Sequence, residues 1–215
     1  MSSGLGYRPE EAIAYLSRRD RHLGSFIRKA GPFGLEPAAM PGTFEYLCRA
    51  VVYQQLSTKA AATIHGRLRD LFPGRRLTPS LLISLSDEAL RGAGLSRSKV
   101  AAVKDLAAHA AARRLPGRAR LDRMDDEAVI EALTRVRGIG RWTVEMLLMF
   151  ALGRPDVLPV GDLGIAKAIQ RAYRLRKPPT AEKMLAIGRR WEPYRSVASW
   201  YLWQSLDVVV PGDRR

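Results

Sequence analysis

The chain has 215 residues, 47% of them hydrophobic, which is enough to bury a core in one domain or in two small lobes. Its 36 Lys and Arg residues outnumber 21 Asp and Glu residues, and the net charge of +15 favours a polyanionic partner unless it only reflects an arginine-rich proteome. A single cysteine, Cys48, excludes an internal disulfide, a four-cysteine zinc site and an iron–sulfur cluster, and the lack of a long apolar run argues against a membrane span.

The predicted elements are almost entirely helical, since strand signals are scarce and apolar periodicity with capping residues recurs. We predict about ten helices in an all-α fold. In chain order they cover 9–19, 43–71, a short segment after Ser86, a helix from 96 or 97 to Pro116, one from 125 or 126 to 136, one after Gly140, one after Asp162, one after Thr180, and a last helix over about 193–209.

The segment from Val136 to Asp162, VRGIGRWTVEMLLMFALGRPDVLPVGD, carries the most information. Gly138-Ile139-Gly140 predicts a tight turn between two helices, and the N–H groups at the start of the second helix can bind an anion such as a phosphate. A plain helix–helix turn would use the same residues. The loop that follows delivers Asp162 to the start of another helix, as a helix cap or as a catalytic acid.

Taken together, this segment resembles the helix-hairpin-helix-Gly/Pro-Asp superfamily of DNA glycosylases. Three further segments resemble its alkylpurine branch, 3-methyladenine DNA glycosylase II in a short bacterial form. They are FEYLCRAVVYQQLSTKAAATI (44–64), GLSRSKVAAVKDLA (94–107) and WEPYRSVASWYLW (191–203).

The resemblance implies a DNA glycosylase fold with two helical lobes that flank a DNA-binding cleft. One lobe would span 43–162 and contain the hairpin at about 133–148, and the other would comprise 1–42 and 163–215. The implied function is monofunctional base excision repair: the enzyme flips alkylated bases such as 3-methyladenine and 7-methylguanine out of the duplex and hydrolyses their bond to deoxyribose.

The implied catalytic residue is Asp162, whose carboxylate would stabilise the positive charge that develops on the sugar. Bifunctional relatives carry a nucleophilic lysine two residues after the second hairpin glycine, where this chain has Trp142. Because tryptophan cannot form a Schiff base, we expect no lyase activity.

The resemblance also assigns the remaining site residues. Trp142 and Trp203 would line the base pocket, with Tyr53 and Phe44 as secondary candidates, although any of these aromatic residues could simply belong to the core. Gln55 or Leu56 would fill the gap that the flipped nucleotide leaves, unless the segment is only a helix kink. The DNA backbone would contact Arg137, Gly138, Gly140, Arg141, Thr143, Ser96, Arg97 and Lys99.

The expected partner is double-stranded DNA that contains alkylated bases, and the expected protein is a cytoplasmic, nucleoid-associated monomer without a membrane anchor. No cofactor is expected apart from a Na⁺ or K⁺ ion on the hairpin backbone near Val136 and Ile139, by family analogy. Two alternatives remain open: the same fold acting on another lesion class, and a non-catalytic binder of distorted DNA.

Overall fold

A computed structural model describes residues 5–206, which form thirteen α-helices and two short 3-10 segments and contain no β-strand. The predicted all-α class is therefore confirmed. No helix within these residues is both long enough and apolar enough to cross a membrane.

The described residues divide into two compact units. The terminal unit contains 5–39 and 145–206, and the central unit contains 40–144. The predicted lobes divided the chain at 162, whereas the contact pattern groups 145–162 with the terminal unit. The reason lies in the loop before Asp162, which packs on the last helix of the terminal unit.

The terminal unit is built around a helix that is buried along nearly its whole length. Its helices are α1 (Pro9–Arg19), α2 (Arg21–Ala30), α11 (Leu163–Ala172), α12 (Ala181–Gly188) and α13 (Arg195–Gln204). All residues from Ser196 to Trp203 in α13 are buried, and this helix packs against α1, α2 and α11. The predicted last helix extended to Val209, and its residues after 206 lie outside the described range.

The helices of the central unit are α3 (Thr43–Tyr53), α4 (Thr58–Asp70), α5 (Pro79–Ser84), α6 (Asp87–Gly92), α7 (Arg97–Ala111), α8 (Arg118–Leu121) and α9 (Asp126–Thr134), and the unit ends inside α10 (Arg141–Phe150). The unit is organised around α7, which packs against α3, α5 and α6.

The prediction of one long helix over 43–71 is wrong, because the chain turns at Gln54–Ser57 and starts a new helix. Ser57 caps that new helix by accepting the N–H of Ala60. Thr43 is also not the N-cap of α3. Gly42 takes that position, and the Thr43 hydroxyl donates to the Pro116 carbonyl at 2.7 Å.

Candidate functional site

The hairpin between α9 and α10 lies in the central unit and has the tight turn that its two glycines predicted. Gly138 adopts a φ of 78°, in the left-handed region. A Cβ atom at this position would lie 2.8 Å from the Cβ of Ala102 in α7. Ile139, which lies between the two glycines, is buried. Glycine is therefore required at position 138, because the φ is positive and because α7 lies too close to leave room for a Cβ atom.

Some backbone groups of the hairpin already form hydrogen bonds within the protein. The Gly140 carbonyl accepts the N–H groups of Thr143 and Val144 at 3.0 and 3.3 Å. The N–H of Arg137 donates to the Asp105 carboxylate at 2.8 Å. Gly138, Gly140, Arg137 and Arg141 are exposed, so a phosphate can approach this turn from solvent.

The Arg141 guanidinium forms a surface ion pair with the Glu127 carboxylate, with Nη1 3.0 Å from Oε2. The hydrogen bond from Arg141 lowers the pKa of Glu127. Exposed pairs of this kind contribute little to stability.

The three residues predicted at the start of α7 have different positions. Ser96 caps the helix by accepting the N–H of Lys99 at 3.3 Å, and Arg97 is exposed. Lys99, however, forms hydrogen bonds within the protein. Its ammonium donates to the carbonyls of Val52 at 2.7 Å and Gln54 at 2.8 Å. Burial lowers the pKa of Lys99. The structure thus gives Lys99 an internal contact where a surface phosphate contact was expected.

The predicted wedge residues lie in the turn between α3 and α4. Gln55 has a φ of 58°, which is uncommon for a residue with a side chain, and Gln55 and Leu56 are both exposed. We call Gln54–Ser57 the wedge loop. The interpretation as a kink within one helix is excluded, and the assignment of the wedge itself stays a prediction.

Asp162 lies in the terminal unit and caps α11, with Oδ1 accepting the N–H of Ile165 at 2.8 Å. The same oxygen accepts the indole N–H of Trp203 at 3.0 Å. Two donors therefore fix the orientation of the carboxyl group, and one of them is a residue predicted for the base pocket.

The loop before Asp162 is held by the first turns of α13. The Arg195 guanidinium makes a two-pronged ion pair with Asp156, at 2.7 and 2.8 Å. The Ser196 hydroxyl donates to the Arg154 carbonyl at 2.7 Å and accepts the N–H of Val157 at 3.0 Å. This docking gives a loop without regular structure a defined path to the acid.

The four predicted pocket aromatics are placed in different environments. Trp142 belongs to the central unit and exposes 40% of its surface, whereas Trp203 belongs to the terminal unit and is buried. Tyr53 and Phe44 are half-buried, and the Arg49 guanidinium lies 4.2 Å from the centre of the Tyr53 ring. Exposure of a large indole beside the hairpin is compatible with stacking on a base.

Sequence reasoning missed Gly164 and Gln54. A Cβ on Gly164 would lie 3.0 Å from Asp162 Oδ1 and 3.3 Å from Trp203 Cδ1. A glycine in the first turn of a helix is a signal of close approach that could have been used. The Gln54 amide donates to the Gly138 carbonyl at 3.0 Å and to the Thr143 hydroxyl at 3.3 Å, and no local pattern announces these contacts.

Comparison with known proteins gives a consistent result. Residues 48–193 match the family described as HhH-GPD superfamily base excision DNA repair protein. The chain is 39% identical over 167 residues to DNA-3-methyladenine glycosylase 1 of Schizosaccharomyces pombe, covering 77% of this chain and 73% of that protein.

Two solved structures are also similar to this fold. The S. pombe 3-methyladenine DNA glycosylase Mag1 in complex with abasic DNA has a TM-score of 0.82 and 33% identity, covering 93% of this chain and 98% of that one. A DNA-3-methyladenine glycosidase from Bacillus halodurans has a TM-score of 0.79 and 38% identity, covering 90% and 88%.

Proposed function

Because this chain belongs to the helix-hairpin-helix-Gly/Pro-Asp superfamily of base excision DNA repair proteins, we propose that it is a monofunctional DNA glycosylase for alkylated bases. It flips the damaged base out of double-stranded DNA and hydrolyses the bond between base and deoxyribose. The observation that carries this proposal is the orientation of the Asp162 carboxyl group by the N–H groups of Ile165 and Trp203.

The carboxylate of Asp162 acts on the sugar. As the base leaves with the bonding electrons, positive charge develops on the deoxyribose ring, and water then adds to the anomeric carbon and loses a proton. A carboxylate about 4 Å from that charge, at an effective dielectric near 20, stabilises it by roughly 4 kcal/mol, or about 10³ in rate. The product is an abasic site in an uncut strand, since Trp142 replaces the lysine nucleophile.

The substrates we propose are N-alkylated purines, 3-methyladenine and 7-methylguanine among them. Relatives with substantial identity carry 3-methyladenine in their names. An alkylated purine is cationic and a good leaving group, and an electron-rich indole attracts it more strongly than it attracts a neutral base. Trp142 and Trp203 are the proposed indoles, with Tyr53 and Phe44 as secondary candidates for the pocket.

The hairpin is the proposed backbone grip, through Arg137, Gly138, Gly140, Arg141 and the N-terminal turn of α10. We further propose that Na⁺ or K⁺ binds backbone oxygens near Val136 and Ile139. Two observations support this cation site. Residues 134–140 and Asp105 line a shallow depression, and their backbone and carboxylate oxygens are the ligand type that hard cations prefer. The described residues contain no cluster of three His, Cys, Asp or Glu side chains suited to a metal ion.

The proposed working form is a monomer. We place it at the nucleoid because a duplex carries phosphates along its whole length, and these attract a protein with a net charge of +15.

The test is base release from methylated duplex DNA by wild type and by Asp162→Asn. Asparagine caps a helix as well as aspartate does, so the variant should fold and bind the same DNA. We expect release of 3-methyladenine and 7-methylguanine by wild type and on the order of 10³ less by the variant. Tight binding without release by wild type would refute the glycosylase proposal, and equal release by both proteins would leave Asp162 as a helix cap alone.

A further inference from the structure

The wedge loop has a conformation that its own residues do not favour. Gln54 ends α3 with φ −55° and ψ 131°, and Gln55 follows in the left-handed region with φ 58°. These values resemble a type II turn, in which the second central position usually belongs to glycine. A non-glycine residue in that conformation is strained, so the surrounding structure must hold the turn.

Lys99 holds the turn from one side. Its ammonium donates to the carbonyls of Val52 and Gln54, which are among the last carbonyls at the α3 end and lack partners within the helix. Lys99 itself lies in the first turn of α7, where the helix dipole disfavours a cation. The carbonyls of Val52 and Gln54 offset that unfavourable position, because each accepts a hydrogen bond from the ammonium.

Gln54 connects the wedge loop to the hairpin. Its side-chain nitrogen donates to the Gly138 carbonyl at 3.0 Å and to the Thr143 hydroxyl at 3.3 Å. Gly138 is itself packed against Ala102 of α7, and Lys99 is in the same helix. Wedge loop, hairpin and α7 therefore form a closed ring of contacts within the central unit.

We propose that Gln54 and Lys99 are positioning residues that mount the wedge loop rigidly on the hairpin, so that gripping the backbone and filling the gap left by the flipped base occur as one step. This inference rests on the proposed function. Unstacking a base costs free energy, and a wedge can prevent the base from returning to the stack only if the structure that supports the wedge does not yield. The hairpin is a suitable support because, under the proposed function, it grips the phosphate backbone of the duplex whose gap the wedge fills.

The activity test uses Lys99→Met and Gln54→Met, which keep the length of the side chains and remove the donors. The matched control is Lys104→Met on the same helix, whose ammonium pairs with Asp87 at the surface. Single-turnover base release is measured on a duplex with one 7-methylguanine opposite cytosine, and on the same strand opposite a tetrahydrofuran abasic analogue, where the lesion is already poorly held.

We expect each positioning variant to be about tenfold slower than wild type on the paired lesion and within about twofold on the unpaired lesion, while Lys104→Met matches wild type on both. A purely structural role would slow both substrates equally and would overturn the inference. In a background without a wedge (Gln55→Ala with Leu56→Ala), Lys99→Met should cause no further loss, because it acts through the wedge. Independent, multiplicative losses would also overturn it.

A second measurement does not depend on activity. Gln54→Met should accelerate amide hydrogen exchange both in residues 54–58 and in residues 137–141, since one side chain ties these segments together. Unchanged exchange in the hairpin would overturn the coupling. If wild type releases no base, the proposed function fails while hydrogen exchange still decides whether the wedge loop is mounted on the hairpin.

Discussion

Gly164 shows how a residue without a side chain can control the geometry of the proposed catalytic carboxylate, Asp162. The space beside it is shared by Asp162 Oδ1 and the Trp203 indole, 3.0 and 3.3 Å from where a Cβ would lie. The hydrogen bond between those two groups therefore depends on glycine at this position.

We expect Gly164→Ala to reduce the single-turnover rate of base release about tenfold, because the carboxyl group or the indole must shift by a few tenths of an ångström. Thermal unfolding should change little, since alanine favours a helix more than glycine does. The matched control is Gly92→Ala at the end of α6, where a Cβ would meet no described atom within 4 Å. A wild-type rate for Gly164→Ala would show that the geometry of this hydrogen bond is not limiting.

Asp20 is a buried carboxylate of the terminal unit, and both of its oxygens accept hydrogen bonds. Oδ1 accepts the N–H groups of His22 and Leu23 at the start of α2, and Oδ2 accepts the Trp191 indole N–H at 2.9 Å and the Tyr173 hydroxyl. Burial alone would raise the pKa of Asp20, but these hydrogen bonds outweigh it and the net shift is downward. Burial, followed by the bond to Asp20, raises the pKa of Tyr173.

A lowered pKa in the folded state means that ionised Asp20 stabilises the fold above its unfolded pKa of 3.8, and that this stability is lost as the pH falls through the folded value. In the Asp20→Asn variant, the side-chain NH₂ group would face hydrogen-bond donors where the carboxylate oxygen accepts from them. We expect it to lower the free energy of unfolding by about 1–3 kcal/mol at pH 7, and the difference from wild type to shrink below about pH 4.

Urea unfolding at several pH values measures this effect. Asp70→Asn provides the control, because that carboxylate pairs with Arg75 on the surface and should change stability by less than about 0.5 kcal/mol. A pH-independent difference between wild type and Asp20→Asn would contradict the linkage.

At the scale of elements, the hairpin and the loop before Asp162 are positioned by different means. The hairpin is a short turn whose glycine allows contact with α7. The loop from 153 to 162 is longer and depends on Arg195 and Ser196 of α13, which bind its side chains and backbone. The first arrangement is visible in a local motif, whereas the second needs partners about forty residues away.

The two hairpin glycines should respond differently to substitution. We expect Gly138→Ala to cost roughly 1–3 kcal/mol of stability, from its positive φ and the 2.8 Å approach to Ala102. Gly140→Ala should cost less than about 1 kcal/mol, since a Cβ there meets no described atom within 4 Å. Its effect should appear in DNA affinity, because the added methyl group stands where a phosphate would approach.

Thermal unfolding and fluorescence anisotropy with abasic duplex DNA separate these effects. Similar losses of stability for both variants would mean that the turn is strained at both glycines. Full DNA affinity of Gly140→Ala would place the phosphate elsewhere.

At the scale of the whole molecule, the charge of +15 should dominate DNA affinity. For six to ten phosphate contacts we expect affinity for undamaged duplex to fall on the order of 10³ or more between 50 and 200 mM salt. The rate of base release at saturating enzyme should change much less, since the chemistry occurs after the DNA is bound. A flat dependence of affinity on salt would show that the basic residues are only a solvated surface.

Much of this molecule follows from local sequence. The helical class, the hairpin turn and the helix cap at Asp162 depend on residues a few positions apart, because φ preferences and capping bonds act over three or four residues. The family followed from linear motifs, each contained in one continuous segment of the sequence. Local patterns also misled: apolar periodicity continued through Gln54–Ser57, and the turn there was predicted as helix.

Only the tertiary structure decided the remaining contacts. Lys99 binds carbonyls 45 and 47 residues away, Gln54 reaches a carbonyl 84 residues away, and the Trp191 indole reaches Asp20 across 171 residues. A lysine at a helix start has the same local pattern whether its ammonium meets solvent, a phosphate or a buried carbonyl. Its partner is determined by the packing of distant helices, since burial makes every polar group seek a hydrogen bond among whatever groups the fold brings near.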